Sequence, residues 1–199
     1  CYTSIRPGWF YPADQDERVK SPQELVDLYY RSVGRNCVLL LNVPPDRRGL
    51  FHENDVAALR EMRRILDETF DEDLVRGARA LADNVRLGHE KFAADNVLPS
   101  HGKSAAGNAT AGGAATYWAT DDGVTTATLE LILAEETAFD RILLQEPIRF
   151  GQRIAAFSVE ARMGGEWREV ARATTIGHKR LLRIEPVTAD AIRIVIIAG

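Results

Sequence analysis

Two textures divide the chain. Up to about residue 87 apolar positions recur at intervals of three and four, and from Thr116 onward they alternate. Ser21-Pro22-Gln23-Glu24 reads as a helix start: Ser21 caps, Pro22 suits the first helical position, and Glu24 reaches back to the cap amide. Leu25, Val26, Leu28, Tyr29 and Val33 then form one apolar side, with Gly34 as the stop. Residues 37–43 are a continuous apolar run of strand length. Such runs belong to strands buried on both faces, as in a parallel barrel. Asn42 falls at the carboxyl edge of that run, where barrel enzymes keep their sites and where an Asn also serves to fix the strand-end loop. Val56, Leu59, Met62, Ile65, Leu66 and Phe70, with charges between them, predict an outer helix. Residues 73–87, through Leu74, Val75, Ala78, Leu81 and Val85, predict a third amphipathic segment that bridges two regions. Helix, buried strand, loop and helix in this order fit the last α/β units of a TIM-type (β/α) barrel, and they are too few to close one alone.

Between the two textures, residues 99–113 are dominated by Gly, Ala, Ser and Asn. That composition marks a linker or long loop, since no strand-to-helix context makes it a phosphate cradle. Beyond it Leu129, Leu131 and Leu133 alternate with polar or outward positions, as do Phe157, Val159, Ala161 and Met163, and then Ile192, Ile194 and Ile196. Short alternating strands with turns such as Met163-Gly164-Gly165-Glu166 predict an antiparallel β-sandwich. The expected organisation is therefore 1–72 as barrel segment, 73–90 as helical bridge and 91–199 as sandwich.

Composition narrows the classes. The 199 residues suffice for one large or two small domains, and 45% hydrophobic with 27% charged residues are ordinary globular values. A net charge of −4 argues against a nucleic-acid partner. No apolar run approaches the roughly 18 residues of a membrane span. The chain begins with Cys1, so an N-terminus further upstream is expected. Cys1 and Cys37 are too few for a disulfide framework; a bridge is possible, and free thiols are the expectation. His52, His89, His101 and His178 are scattered singly, without metal spacing, and read as structural or solvated.

The stretch Ser4-Ile5-Arg6-Pro7-Gly8-Trp9-Phe10-Tyr11 is the candidate binding surface. Three consecutive aromatics after a Pro-Gly turn cannot all face one core. Either they anchor the loop or at least one faces a cleft, where a ring packs on the C–H face of a sugar. Arg6 serves equally as a donor to sugar hydroxyls or as a loop brace. The carboxylates Asp14, Asp16 and Glu17 sit together on a polar loop and read as a solvated turn, because a catalytic pair needs separately shaped environments.

The aromatic stretch, Val19-Lys20-Ser21, Leu28-Tyr29-Tyr30, Ser32-Val33-Gly34-Arg35-Asn36 and Leu39 through Leu50, with Asn42-Val43-Pro44-Pro45-Asp46, fall in an order that closely resembles the end of the catalytic barrel of α-L-fucosidases, glycoside hydrolase family 29. Thr116-Tyr117-Trp118-Ala119-Thr120-Asp121-Asp122, Trp167 and Thr175-Ile176-Gly177-His178-Lys179-Arg180 resemble the discoidin, or coagulation-factor type C, jelly roll that commonly follows such barrels. Discoidin domains usually continue into one more strand after a segment like Ile197-Ala198-Gly199. The resemblance implies a retaining exo-hydrolase of terminal L-fucose, acting on a fucosylated glycan, with no cofactor and a secreted or periplasmic location. It also implies that the nucleophile and the acid/base carboxylate lie on an upstream barrel segment of the same protein. This chain then supplies a pocket wall of Trp9, Arg6, Phe10 and Tyr11 and is inactive alone. One departure stands out: Pro12 follows the aromatic triplet where such fucosidases usually place a His, so that residue's sugar contact is not carried over.

The rival class is a non-catalytic carbohydrate-binding sandwich, although Trp118, directly before a strand, is expected in the core. Discoidin-like domains often hold a structural Ca²⁺ in a loop of the form Asp-Gly-x-x-Asp-Thr-Tyr-Trp. Here Ala111-Gly112-Gly113-Ala114-Ala115-Thr116-Tyr117-Trp118 occupies that place, and both carboxylates are Ala. Ca²⁺ takes six to eight hard oxygen ligands, so the loss of two charged ones predicts no tight calcium. Asp121 and Asp122, with Gly123, are expected as a solvated turn. Thermal unfolding of the chain in millimolar calcium and in chelator should give superimposable curves. A site filled 100-fold above its dissociation constant would add about 2.7 kcal/mol, and a calcium-dependent rise of several degrees would contradict the expectation.

Overall fold

A computed structural model describes residues 1–86, 105–110 and 116–199. The chain forms two compact units, Cys1–Glu72 and Asp73–Gly199.

In the first unit, β1 (Tyr2–Ser4) and β2 (Leu40–Asn42) pair in parallel, with Tyr2 opposite Leu40 and Ser4 opposite Asn42. Parallel neighbours require a crossover, and it carries α1 (Pro22–Arg31). The expected capping box closes in full: the Ser21 hydroxyl accepts from the Glu24 amide while the Glu24 carboxylate accepts from the Ser21 amide at 2.7 Å. α1 stops at Arg31, three residues before the Gly34 stop, and the Gly34 amide folds back onto the Tyr29 carbonyl. α2 (Glu53–Phe70) follows β2, with the His52 imidazole as its N-cap, Nδ1 accepting from the Asn54 amide. Ile5, Leu25 and Ala58 are buried together, with Leu41, Val43, Leu59 and Met62 packed on them.

Two expectations change here. Only three residues of the apolar run 37–43 are strand, and the run is not buried on both faces: Val38 and Leu40 are 82% and 67% exposed. Side chains alternate along a strand, so Leu41 and Val43 reach the helices and Val38 and Leu40 point the other way, in a sheet that has two strands. The cysteines are not free thiols; Cys1 and Cys37 form a disulfide with Cα atoms 6.0 Å apart. The β1–β2 pairing brings the start of one strand beside the approach to the other, at a separation that suits the bond. Closing a loop of 36 residues stabilises by about 4 kcal/mol in the chain-entropy account.

The second unit is built on one five-stranded antiparallel sheet ordered β3-β4-β7-β5-β6. Its strands are β3 (Arg79–Ala82), β4 (Ala127–Leu144), β5 (Ala156–Met163), β6 (Glu166–Thr174) and β7 (Arg180–Ala198). Over Arg79–Ala82, β3 stands in place of part of the helical bridge expected over 73–90; 87–90 lie outside the described residues. Gly77 sits at φ 81°, where a helix cannot continue, and Ala78, Ala80 and Ala82 then alternate onto the sheet core. The spacing of Val75, Ala78 and Leu81 fits a helix, but period two and pairing with residues 129–132 of β4 win.

β4 and β7 are 18 and 19 residues long, with irregular register between Ile132 and Thr137 and again between Phe139 and Arg141. Such irregularities bend a strand pair. Accordingly Ile142, beyond the bends, enters the same core as Leu129, Leu131, Phe157, Val159 and Ile194, an arrangement consistent with a β-sandwich. β5 and β6 join through Gly164 and Gly165 at φ 58° and 86°, the two positive values a tight type I′ hairpin needs.

The buried Glu146 carboxylate accepts from the amides of Arg153, Ile154 and Gly177. That anchor holds the turn in which the β-branched Thr175 adopts φ 44°, a conformation costing on the order of 1–3 kcal/mol. Trp118 packs partly on the core, and its indole N–H donates to the Asn84 carbonyl at 2.9 Å. Asp121 and Asp122 lie exposed at a turn with Gly123, as expected; the Asp121 amide donates to the Asn84 side chain, and Asp122 pairs with Arg86 at 2.8 Å. The calcium expectation falls on 111–115, which lie outside the described residues, as do His89 and His101.

Candidate functional site

The carboxyl ends of two parallel strands lie on the same side, and in parallel α/β arrangements ligands bind there. In the first unit that edge carries the aromatic loop after β1 and the 43–52 loop after β2. Gly8 makes the turn at φ 86°. Beyond it Trp9 is 46% and Phe10 88% exposed, and Tyr11 is half-buried. The Trp9 ring stacks on Tyr2, centroids 5.7 Å apart. Asn42 ties the two loops together: its side-chain amide donates to the Trp9 carbonyl at 2.9 Å and to the Ser4 hydroxyl at 3.0 Å. The expectation that Asn42 fixes the strand-end loop thus acquires a partner, the aromatic loop itself.

Arg6 lies beneath this surface, its side chain fully buried. Its Nε donates to both Asp55 oxygens at 3.0 Å, and Nη1 donates to Asp16 at 2.9 Å and to the Gln15 carbonyl at 3.2 Å. The guanidinium also lies 4.9 Å from the centre of the Tyr11 ring. Through Nε and Nη1, Arg6 has the geometry of a brace, one of the two uses the sequence allowed for it, while its buried Nη2 has no hydrogen-bond partner among the described residues. Burial works against its charge, but the hydrogen bonds to Asp55 and Asp16 outweigh that and hold its pKa above the ordinary value.

Asp16 is drawn into the same network, so the loop carboxylates are not merely a solvated turn. It accepts from the Tyr11 hydroxyl at 3.0 Å, and its carboxylate lies 3.3 Å from His52 Nε2. Partial burial opposes its ionisation, yet hydrogen bonds from Arg6 and Tyr11, then the nearby His52 and Arg6 charges, push its pKa below the usual Asp value. The stabilisation this gives is present above the ordinary Asp range and is lost as pH falls through the lowered value. Asn54 adds a donor to the Asp16 carbonyl at 2.9 Å, and Lys20 Nζ donates to the Ser4 carbonyl at 2.7 Å. Sequence reasoning missed Asp55, Asn54 and Lys20; the signal for Asp55 was an acid in the first turn of a helix, which a helix-dipole role already explains.

Beside Tyr11 the two loops enclose a shallow cavity of about 270 Å³, lined by Tyr11, Asp46, Arg47, Arg48, His52 and Glu53. Arg48 bridges Asp46 and Glu53, and hydrogen bonds led by that from Arg48 lower the Asp46 pKa. Asp16 and Asp46 each sit against an Arg and have a lowered pKa, and carboxylates so held are poor proton donors near neutral pH, where a general acid needs a raised pKa. The arrangement offers a wall for binding. Among the described residues, no cluster of three or more His, Cys, Asp or Glu side chains could hold a metal ion, and no helix is long and apolar enough to cross a membrane.

Two family models match the chain: α-L-fucosidase over residues 1–69 and the F5/8 type C domain over residues 92–199. An α-L-fucosidase of Arabidopsis thaliana is 37% identical over 98% of this chain and 37% of its own length. The glycoside hydrolase family 29 fucosidase of Ruminococcus gnavus, solved in complex with fucose, is 34% identical with a TM-score of 0.83, over 98% of this chain and 37% of that one. A Bacteroides thetaiotaomicron structure provisionally assigned as an α-L-fucosidase is 39% identical with a TM-score of 0.86, over 98% of this chain and 40% of that one. The chain spans 35% and 37% of the length of the curated relatives it matches. On these matches the chain belongs to the F5/8 type C domain family through its second region, and its first region is similar to the α-L-fucosidases.

Proposed function

We propose that this chain is part of an exo-acting α-L-fucosidase that releases terminal L-fucose from glycans by a retaining, two-carboxylate mechanism. The observation that carries the proposal is the exposed Trp9–Phe10 surface at the carboxyl edge of a parallel strand pair, in the region similar to fucosidases. In a retaining hydrolase one carboxylate attacks the anomeric carbon and a second carboxyl group, about 5 Å away, protonates the leaving oxygen. An upstream barrel segment of the same protein supplies that pair. Here Trp9 covers the C–H face and C6 methyl of fucose, and Phe10 and Tyr11 shape the rim. Arg6 acts from below, as the brace that holds them. The exposed apolar faces of Tyr2, Val38 and Leu40 support the idea that further barrel strands cover this unit. The Cys1–Cys37 disulfide supports folding in an oxidising compartment, secreted or periplasmic.

A second reading, a sandwich that binds carbohydrate without catalysis, has one observation in its favour. Arg149 lies over the rings of Tyr117 and the part-exposed Phe150 beside the exposed Ile148. Binding of a glycan panel without any fucose release by the full-length protein would favour it.

Two outcomes test the first reading. Purified chain 1–199 should leave an aryl α-L-fucoside intact while the full-length protein hydrolyses it; turnover by the chain alone at the rate of an intact fucosidase would place the carboxylates here and contradict the division of labour. In the full-length protein Trp9→Ala should weaken binding of fucose or a fucose-like inhibitor by about 1–2 kcal/mol, the worth of a stacking face, with its melting temperature nearly unchanged. A collapse in melting temperature with unchanged affinity of the folded fraction would make Trp9 a core anchor instead.

A further inference from the structure

The imidazole of His52 serves two neighbours at once. As the N-cap of α2, its Nδ1 accepts from the Asn54 amide at 3.2 Å. Its other nitrogen, Nε2, lies 3.3 Å from Oδ2 of Asp16, on the loop before α1. A nitrogen that accepts carries no proton, so the neutral ring keeps its proton on Nε2, the nitrogen that faces the carboxylate. The opposite tautomer would set two donors together at the cap and two acceptors together at Asp16. Asn, Asp, Ser and Thr are the usual caps, but each ends too close to the backbone to close the cap and reach Asp16 as well.

Asp16 is the residue that gains from a second hold. Its Oδ1 accepts from Arg6 Nη1 at 2.9 Å and from the Tyr11 hydroxyl at 3.0 Å, and that hydroxyl lies 3.2 Å from Oδ2. A carboxylate tied mainly through one oxygen turns about its Cβ–Cγ bond, because that torsion is soft. His52 at Oδ2 fixes the plane. Asn54, from the first turn of α2, holds the Asp16 backbone by donating to its carbonyl at 2.9 Å. The start of α2 therefore grips Asp16 by side chain and backbone together. Asp16 in turn fixes the Tyr11 hydroxyl, two residues from Trp9 in the aromatic loop.

We propose that His52 is a positioning residue for the aromatic loop: its neutral ring, protonated on Nε2, orients Asp16 and through it Tyr11, and so holds Trp9 where it meets the sugar. The sugar part rests on the fucosidase reading above; the hold on the loop does not. A helix cap alone would need nothing beyond Nδ1.

The experiment uses the full-length protein and His52→Asn, which keeps a cap for α2 and loses the reach to Asp16, with His52→Ala as the variant that loses both. Melting temperature, hydrogen exchange over 9–18 and 52–58, and binding of L-fucose by calorimetry are measured at pH 8, above the usual imidazole range. The proposal expects His52→Asn to match the parent in melting temperature and in exchange over 52–58. Exchange over 9–18 should rise about fivefold, the worth of one ordinary hydrogen bond, and the Kd for L-fucose should rise by a similar factor. His52→Ala should speed exchange in both segments. Unchanged exchange over 9–18 in His52→Asn would make His52 a helix cap and nothing more. Faster exchange there with an unchanged Kd, or a lower melting temperature with faster exchange in both segments, would overturn the proposal as well. If the parent does not bind L-fucose, the fucosidase reading falls, and the exchange comparison still decides whether His52 holds the loop.

Discussion

A buried guanidinium needs close anionic partners, and the first unit is arranged around that constraint. Taking a charged Arg out of water costs several kcal/mol, and its partners repay that only with good geometry. Arg6 meets it through Nε and Nη1, with Asp55 from the first turn of α2, Asp16 from the loop before α1, and the Gln15 carbonyl, while the buried Nη2 has no hydrogen-bond partner among the described residues. One side chain thereby fastens the segment after β1 to the start of α2 and to the loop that leads into α1. Because the loop is held from beneath, its upper side can leave Trp9 and Phe10 in solvent without a core of their own. The aromatic surface is thus a consequence of the ion cluster, with Asn42 adding the last tie at the Trp9 carbonyl.

The second unit solves a related problem with the opposite charge. Its two longest strands bend, and the loops at their ends must be drawn together around a strained Thr175. Glu146 does this as a buried acceptor for three backbone amides. On the outer side of the sheet, Arg162 pairs with Asp190 and Arg193 with Glu160, and both cations lie over Trp167. Cross-strand pairs of this kind each contribute a few tenths of a kcal/mol. They favour the observed register more than they add to stability.

What the sequence made legible is local in origin. The Ser21–Glu24 capping box, the alternation of Leu129 with Leu131 or of Phe157 with Val159, and the Gly164-Gly165 hairpin need only near neighbours to be recognised. What stayed hidden depends on distant partners. Cys1 and Cys37 looked like free thiols until the parallel pairing set them 6.0 Å apart. Asp55 looked like a helix-start acid and Asp16 like a solvated one, because nothing in spacing says that Arg6 is buried between them. Residues 73–82 carry both a helical and an alternating pattern, and the available edge of β4 decided for the strand. The candidate site was half legible: the aromatic triplet announced a surface, while its brace and the neighbouring cavity emerge only from the fold.

Arg6 and Asp55 act as one unit. A double-mutant cycle tests it, with Arg6→Met, Asp55→Ala and the combination, in a chain whose Trp118 and Trp167 are Phe so that Trp9 fluorescence follows denaturant unfolding of the first unit. Each single change should cost about 3–5 kcal/mol, because it strands a buried charge, and the double should cost well under the sum. Strictly additive losses, or singles within about 0.5 kcal/mol of the parent, would contradict the account.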